Sequence, residues 1–378
     1  MDLNELRQDI DILDQQIFDA FTKRMDLCRQ VAAYKIENNL PVFQTAREDA
    51  VVEKARGRVP EELSDGAALL SRTVMDISKH LQYRQILASR GKNTPTRPHC
   101  GFNTLRNVEN VRVGCAGTEG ANGETACKKL FGDGCDPAFY KTFDEVFCAV
   151  ENGELDFGVI PVQNSTAGTV VQAYDLMSQH NFWINATTVV EITNCLAVRH
   201  GTKLKDIQDV YSHPQALMQC SEFISRHGLH ANHYSNTATA ARMVSKSEAP
   251  IAAICSEHCA ELHGLEILAD HISDYVPNYT RFICISKEMT ISEDCDTISV
   301  MLKIPHEEGT LHRLLSKFVI CGLNLQKIES RPIRDGSFDV MFYLDFNGNM
   351  QNPAVDALMS DMSENLEFFK FLGNYREI

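Results

Sequence analysis

Residues 3–36 carry an apolar stripe almost five heptads long, and few folds can absorb it. Leu3, Leu6, Ile10, Leu13, Ile17, Ala20, Arg24, Leu27, Val31 and Tyr34 follow one another by threes and fours, the spacing of one face of an α-helix. Such a helix is roughly 50 Å long, too long for one compact domain, so it must pack against another helix or another chain. Pro41 interrupts the pattern. Thr45 and Glu48 have capping-box spacing and predict a second helix over 46–56; a third is predicted over roughly 62–89. No strand signal precedes residue 90, so residues 1–90 read as an all-α domain.

Arg24 sits in the stripe where its neighbours are apolar. One such arginine is usually a snorkelling side chain. Lys35, however, follows three helical turns later on the same face, and Arg7 flanks the same stripe. Three cations along an apolar seam predict a buried anion site.

Beyond residue 90 the texture changes. Residues 91–110 are polar, with two prolines, and read as a linker. Short apolar runs at 111–115, 157–161, 196–198, 209–213, 251–255 and 282–286 then alternate with helical stretches, which predicts an α/β domain over 111–287 with parallel strands. Residues 296–378 differ again. Strand 297–303, helix 308–321 stopped by Gly322, strand 323–330, a turn at Arg334-Asp335-Gly336-Ser337, strand 338–346, helix 353–365 and strand 368–375 give the order βαββαβ, a ferredoxin-like α+β pattern. The expected architecture is therefore multidomain: all-α, then α/β, then α+β.

Charge narrows the function. Residues 1–100 hold 15 basic and 15 acidic side chains, so the whole net charge of −15 lies beyond them. That balance speaks against nucleic acid as a partner, and any anion site must be built locally from arginines, lysines or helix N-termini. No run approaches the ~20 apolar residues of a membrane span, and the N-terminal residues lack the pattern of a signal peptide. The 13 cysteines are odd in number and scattered, which suits reduced thiols and a cytoplasmic location. Cys255-x-x-x-Cys259 fits a plain helix, and the glycines at 114–120 lack the dinucleotide spacing, so neither metal nor cofactor is expected.

Residues 1–90 resemble the small all-helical chorismate mutases in Leu6-Arg7, Asp14, Lys23-Arg24, Lys35, Pro41-Val42, Arg47-Glu48 and Ser78-x-x-x-Gln82. Members of that family form intertwined dimers through the long first helix. The resemblance implies that Arg7 of the partner chain, Arg24 and Arg47 bind the substrate carboxylates, that Lys35 and Gln82 contact the ether oxygen, and that Glu48 contacts the substrate hydroxyl. Ser78 and Gln44 join them as substrate-binding residues, Gln44 standing where well-known bacterial members have an acid. For Glu48 the capping box offers a purely structural alternative.

Gly114-x-x-Gly117-x-x-Gly120, Pro161-Val162-Gln163-Asn164-Ser165, Tyr211-Ser212-His213-Pro214-Gln215, Gln219-Cys220, Asn236-Thr237-Ala238 and Thr280-Arg281-Phe282 resemble prephenate dehydratase, whose fold is two α/β lobes around a cleft, like type II periplasmic binding proteins. This implies Thr280 as the central catalytic residue and Asn164, Ser165, Gln219, Thr237 and Arg281 as substrate-binding residues, with a structural salt bridge as the alternative for Arg281. The family's loop aromatic and hydroxyl residues are replaced at Ala121-Asn122-Gly123, and its glutamate by Gln163. Residues 296–378 resemble an ACT domain, with phenylalanine-binding motifs at Gly309-Thr310-Leu311 and Glu329-Ser330-Arg331-Pro332. Together these features resemble the bifunctional chorismate mutase–prephenate dehydratases. They imply chorismate and prephenate as substrates, L-phenylalanine as inhibitor, and a homodimer or higher homo-oligomer. The alternative implied by residues 121–123 and Gln163 is a mutase fused to a catalytically inactive, dehydratase-like regulatory module.

Overall fold

The structure, a computed structural model, describes residues 2–43, 45–89, 111–290, 294–333 and 339–378. Gln44, the expected linker 91–110 and the turn at 334–337 lie outside them. Two compact units result. One combines the N-terminal helices with residues 296–371; the other comprises the central region up to residue 295 and the C-terminal residues 372–378. Among the described residues, no helix is long and apolar enough to cross a membrane.

In the first unit, α1 (Leu3–Glu37) runs the full length of the apolar stripe. It is followed by α2 (Thr45–Arg56) and α3 (Ser64–Ser89), and α3 packs against both. The stripe itself is largely uncovered: Ile10, Leu13, Ile17, Leu27 and Tyr34 are all exposed. Helix α3 has the opposite character. Asp76, Ser78, Lys79 and Gln82 are buried along it beside Met75, Tyr83 and Ile86.

The second unit holds two mixed sheets. The first follows the order β2-β1-β3-β11-β5, built from β1 (Val113–Ala116), β2 (Ala138–Tyr140), β3 (Phe157–Asn164), β5 (Trp183–Glu191) and β11 (Tyr279–Ser286), with β4 (Gly168–Thr169) hanging on β3. Helices α4 (Asn122–Phe131) and α5 (Phe143–Glu151) pack on it, and α6 (Val171–Met177) follows β4. Gly123 lets α4 approach β1 closely, since a Cβ there would lie 3.2 Å from the Ala116 carbonyl oxygen and from Cys115 Sγ.

The second sheet has the order β10-β6-β9-β7-β8, from β6 (Cys195–Val198), β7 (Asp209–Ser212), β8 (His230–His233), β9 (Ala252–Cys255) and β10 (Glu266–Ala269). Its helices are α7 (Pro214–Gln219), α8 (Ser221–Arg226), α9 (Thr237–Lys246) and α10 (Glu257–Leu262). Successive residues of β6 point to opposite faces: Leu196 and Val198 enter one core, Cys195 and Ala197 the other. Burial on both faces explains why these strands read as continuous apolar runs.

The expectation of parallel strands holds only in part. β1 is parallel to β2 and β3, and β7 is parallel to β8 and β9. β11 runs antiparallel to both β3 and β5, and β6 antiparallel to β9 and β10. The chain leaves the first lobe after β5, builds the second, and returns through β11; the returning strand enters in the opposite sense.

The remaining strands, β12 (Thr297–Lys303), β13 (Leu325–Pro332), β14 (Val340–Asn347) and β15 (Phe368–Tyr375), order as β13-β14-β12-β15 with helices α11 (Thr310–Ile320) and α12 (Pro353–Asn365), the ferredoxin-like arrangement. Phe318, Phe346, Leu344 and Met362 fill the core between helices and sheet. Within the first unit, α11 and α12 also pack on α3. Ala357 of α12 joins Val42, Tyr83 and Ile86 in one apolar cluster. The Tyr83 hydroxyl donates to Glu364 Oε2 at 2.8 Å and accepts from Asn365 Nδ2 at 3.1 Å.

This contact generates a stability prediction. Tyr83→Phe keeps the ring but removes a bond to a charged acceptor, so the first unit should lose about 1–2 kcal/mol, seen as a lower urea midpoint for loss of its helical signal. A midpoint equal to wild type would show that the bond contributes nothing.

Candidate active sites

Helices α1 and α2 converge on α3 in the first unit. The half-buried Arg24 of α1 bonds the Ser78 hydroxyl, and its Nη1 also donates to the Val74 carbonyl at 3.3 Å. Lys35, three turns along α1, donates to the Val42 carbonyl at 2.7 Å. Burial lowers its pKa, partly opposed by Cys28 and Glu48. Glu48, in the first turn of α2, directs its carboxylate to Lys79 of α3 at 3.0 Å. Gln82, one turn beyond Ser78, is 7% exposed, and its Oε1 has no hydrogen-bond partner among the described residues. A buried polar atom without a partner costs free energy and leaves an acceptor position open. Arg24, Lys35, Glu48, Ser78 and Gln82 thus come together from three helices, whereas Arg7 and Arg47 are exposed.

The second site is a cleft of about 450 Å³ between the two lobes of the second unit. Asn164, Thr280, Gln219 and Thr237 line it, as do Ala121, Asn122 and Gly123. At its centre, β3 and β11 set Asn164 opposite Thr280 in register. The orientation of the Asn164 amide is fixed by its surroundings. Its Oδ1 accepts the backbone N–H groups of Thr166 at 3.1 Å and Ala167 at 2.8 Å, so the other end must be the NH2. That NH2 donates to Thr280 Oγ1 at 3.0 Å and to Asn278 Oδ1 at 2.8 Å. Thr280 Oγ1 is an acceptor toward Asn164, so its own proton is not used in that bond.

Helix N-termini supply the positive field. Helices α4, α5 and α9, of nine or ten residues, begin at the cleft with Asn122, Thr142 and Thr237 among its lining, and Lys141 adds a full charge. Exposed N–H groups and dipoles suit an anion. His213 caps α7, its Nδ1 accepting from the Gln215 N–H at 3.2 Å. Burial, then His233, lowers its pKa, so it is neutral near pH 7 and structural.

Two expected contacts fall outside this cleft. The Ser165 hydroxyl accepts the Tyr279 N–H at 2.9 Å and clamps β3 to β11. Arg281 pairs with Glu377 at 3.2 Å, the structural alternative for that residue; strand alternation turns it away from the face of Thr280. Gln163 does not line the cleft either. Conversely, Thr166 and Asn278 were missed. Thr166 Oγ1 accepts from Gln219 Nε2 at 3.0 Å, linking the two lobes. Both residues lie next to recognised motifs, which was the available signal. In the ferredoxin-like domain, α11 follows Gly309, whose φ of +76° suits glycine. Thr310 and Leu311 open that helix, and Glu329, Ser330 and Arg331 lie on edge strand β13.

Comparison with known proteins agrees with this geometry. The chorismate mutase type II family model matches residues 6–83 and the prephenate dehydratase model residues 113–290. The bifunctional chorismate mutase/prephenate dehydratase of Stutzerimonas stutzeri is 30% identical, covering 99% of this chain and 97% of its own length. Arogenate dehydratase/prephenate dehydratase 1 of Arabidopsis thaliana is 35% identical, over 70% of this chain and 72% of that protein. The crystal structure of prephenate dehydratase from Arthrobacter aurescens in complex with L-Phe superposes with a TM-score of 0.65 at 28% identity, over 70% of this chain and 90% of that one. The chain belongs to the bifunctional chorismate mutase/prephenate dehydratase family. It therefore carries a mutase domain and a dehydratase domain, each with its substrate site.

The amide orientation at Asn164 is testable. Asn164→Asp cannot donate to Thr280, and its carboxylate would capture the threonine proton instead. Dehydratase kcat should fall by about 10²-fold or more, whereas Gln163→Glu, outside the cleft, should stay within a few-fold of wild type. Normal turnover by Asn164→Asp would refute the donor assignment.

Proposed function

We propose that the helical domain rearranges chorismate to prephenate and that the two-lobed domain converts prephenate to phenylpyruvate with loss of CO2 and water, under inhibition by L-phenylalanine. The observation that carries the first step is the convergence of Arg24, Lys35, Glu48, Ser78 and Gln82 on one patch. Chorismate rearranges without a nucleophile, through a transition state in which the breaking C–O bond gains negative charge. Fixed cations and donors suffice to hold the compact conformer and stabilise that oxygen. Arg24 binds a carboxylate, Lys35 and Gln82 meet the ether oxygen, and Glu48 accepts the hydroxyl. Arg47, with Arg7 of a partner chain, completes carboxylate binding. The exposed stripe of α1 supports a homodimer, since an apolar surface of that length is expected to be covered. The twelve described cysteines, all free thiols, support a cytosolic location.

In the dehydratase reaction the ring loses a carboxylate as its hydroxyl departs. Thr280, its oxygen already held by Asn164, donates to that leaving oxygen. The N-termini of α4, α5 and α9 hold the substrate's negative charge. The placement of Gln163 outside the cleft favours this reading over an inactive module.

Incubation of the pure protein with chorismate should yield both prephenate and phenylpyruvate. Arg24→Ala and Lys35→Ala should each lower mutase turnover by orders of magnitude, leaving turnover of supplied prephenate intact. Because burial lowers the Lys35 pKa, and the lysine must be charged to act, wild-type mutase activity should decline with rising pH below the ordinary lysine range. Near-normal mutase activity in either variant would overturn the assignment.

For regulation, β13 is an edge strand with Ile328 and Ser330 exposed, which supports ligand binding between two such domains. The N–H groups at the start of α11 suit the amino acid's carboxylate. Ser330→Ala should relieve inhibition by L-phenylalanine with little change in uninhibited dehydratase activity. Calorimetry showing no binding at millimolar L-phenylalanine would rule the site out.

A further inference from the structure

Lys79 is 5% exposed, and nothing in the reading above gives it a task. Its Nζ lies 3.0 Å from Glu48 Oε1, 3.2 Å from Glu48 Oε2 and 2.9 Å from Asp76 Oδ1, and 5.2 Å from the centre of the Phe43 ring. A buried ammonium is unfavourable unless paired. Here burial alone would favour the neutral amine, but Asp76 and Glu48 outweigh it and raise the pKa, so the charge persists through neutral pH.

We propose that Lys79 is a positioning residue of the mutase site: held by Asp76, its ammonium fixes the Glu48 carboxylate in place to accept the substrate hydroxyl. The proposal rests on the reading of Glu48 given above. Three arguments support it over a direct or a purely structural role. Lys79 is ill suited to serve as another substrate cation, because its charge is already matched by the Glu48 and Asp76 carboxylates. Joining α2 to α3 does not require it, since Val52, Ala68 and Met75 already form an apolar cluster between those helices, and a buried ion pair adds little stability over apolar residues of similar size. Lys79 also lies beside Ser78 and one turn before Gln82, in the row of α3 that carries the site.

Among the described residues, Lys35 from α1 and Lys79 from α3 both feel the Glu48 carboxylate, and Asp76 of α3 shares Lys79 with it. Replacing Lys79 removes the cation that both carboxylates contact, and two carboxylates sharing a site resist joint ionisation. Lys79→Met should therefore lower mutase kcat/KM by roughly tenfold to a hundredfold and move the acid limb of its pH–rate profile to higher pH. Dehydratase turnover of supplied prephenate should be unchanged.

The decisive measurement is a double-mutant cycle in the full-length protein. Glu48→Gln alone should lower mutase kcat/KM, and adding Lys79→Met should lower it no further. If Lys79→Met fails to fold by circular dichroism, Lys79→Gln, which keeps a buried donor, takes its place in the cycle. Impaired Glu48→Gln with a normal Lys79 variant, or losses that simply multiply, overturns the positioning role alone. A fully active Glu48→Gln overturns the reading of Glu48 itself, and the proposal with it.

Discussion

Burying polar side chains on α3 organises the helical domain. Asp76, Ser78, Lys79 and Gln82 are all withdrawn from water, and a buried polar group without a partner costs about 1–3 kcal/mol. Each partner fixes a neighbouring element. Arg24 brings α1 to Ser78, and Glu48 brings α2 to Lys79. Helix α1 consequently turns Arg24 inward with Met25 and Ala32, while Ile10, Leu13, Ile17, Leu27 and Tyr34 of its stripe remain outside. The domain gives up apolar burial within one chain to assemble charge in one place. The stripe left outside is an apolar surface of unusual length for a single helix.

The dehydratase cleft meets the same requirement by other means. The region beyond residue 100 carries the entire net negative charge, so long-range attraction cannot draw in a dianion. Backbone dipoles avoid the difficulty: they add no net charge and act only within a turn of the helix end. Three helices beginning at one cleft, with Lys141 beside them, give a local positive field inside an acidic protein. Two of these helices belong to the first lobe and one to the second, so both lobes contribute to the field.

Much of this was legible in the chain. The 3.6-residue period placed α1, and Arg24, the one charged residue within its apolar stripe, stood out as the candidate for an anion site. The ferredoxin-like order was readable from alternation and from Gly322. Strand polarity in the central region was not, because nothing local distinguishes β11 as a returning strand. Ser165 and Arg281 were grouped with their motif neighbours, yet alternation along a strand sends adjacent side chains to opposite faces. Thr280 and Asn164, 116 residues apart, meet through strand register, and so do their supports Asn278 and Thr166. Lys79 was invisible for another reason: a lysine in a helix is ordinarily solvated, and only the carboxylates from two helices reveal otherwise.

The ferredoxin-like domain is tied to the rest of the chain in two physically different ways. Its helices lean on α3 through side chains, the Tyr83–Glu364 bond among them. Its last strand runs on into the C-terminal residues, which attach to β5 by backbone bonds: Thr187 donates to the Arg376 carbonyl at 3.1 Å, and Ile378 donates to Thr187 at 2.8 Å. Glu377, between them, pairs with Arg281, the neighbour of Thr280. Glu377 is thus flanked by backbone bonds to β5, and its pairing with Arg281 is a contact within the second unit.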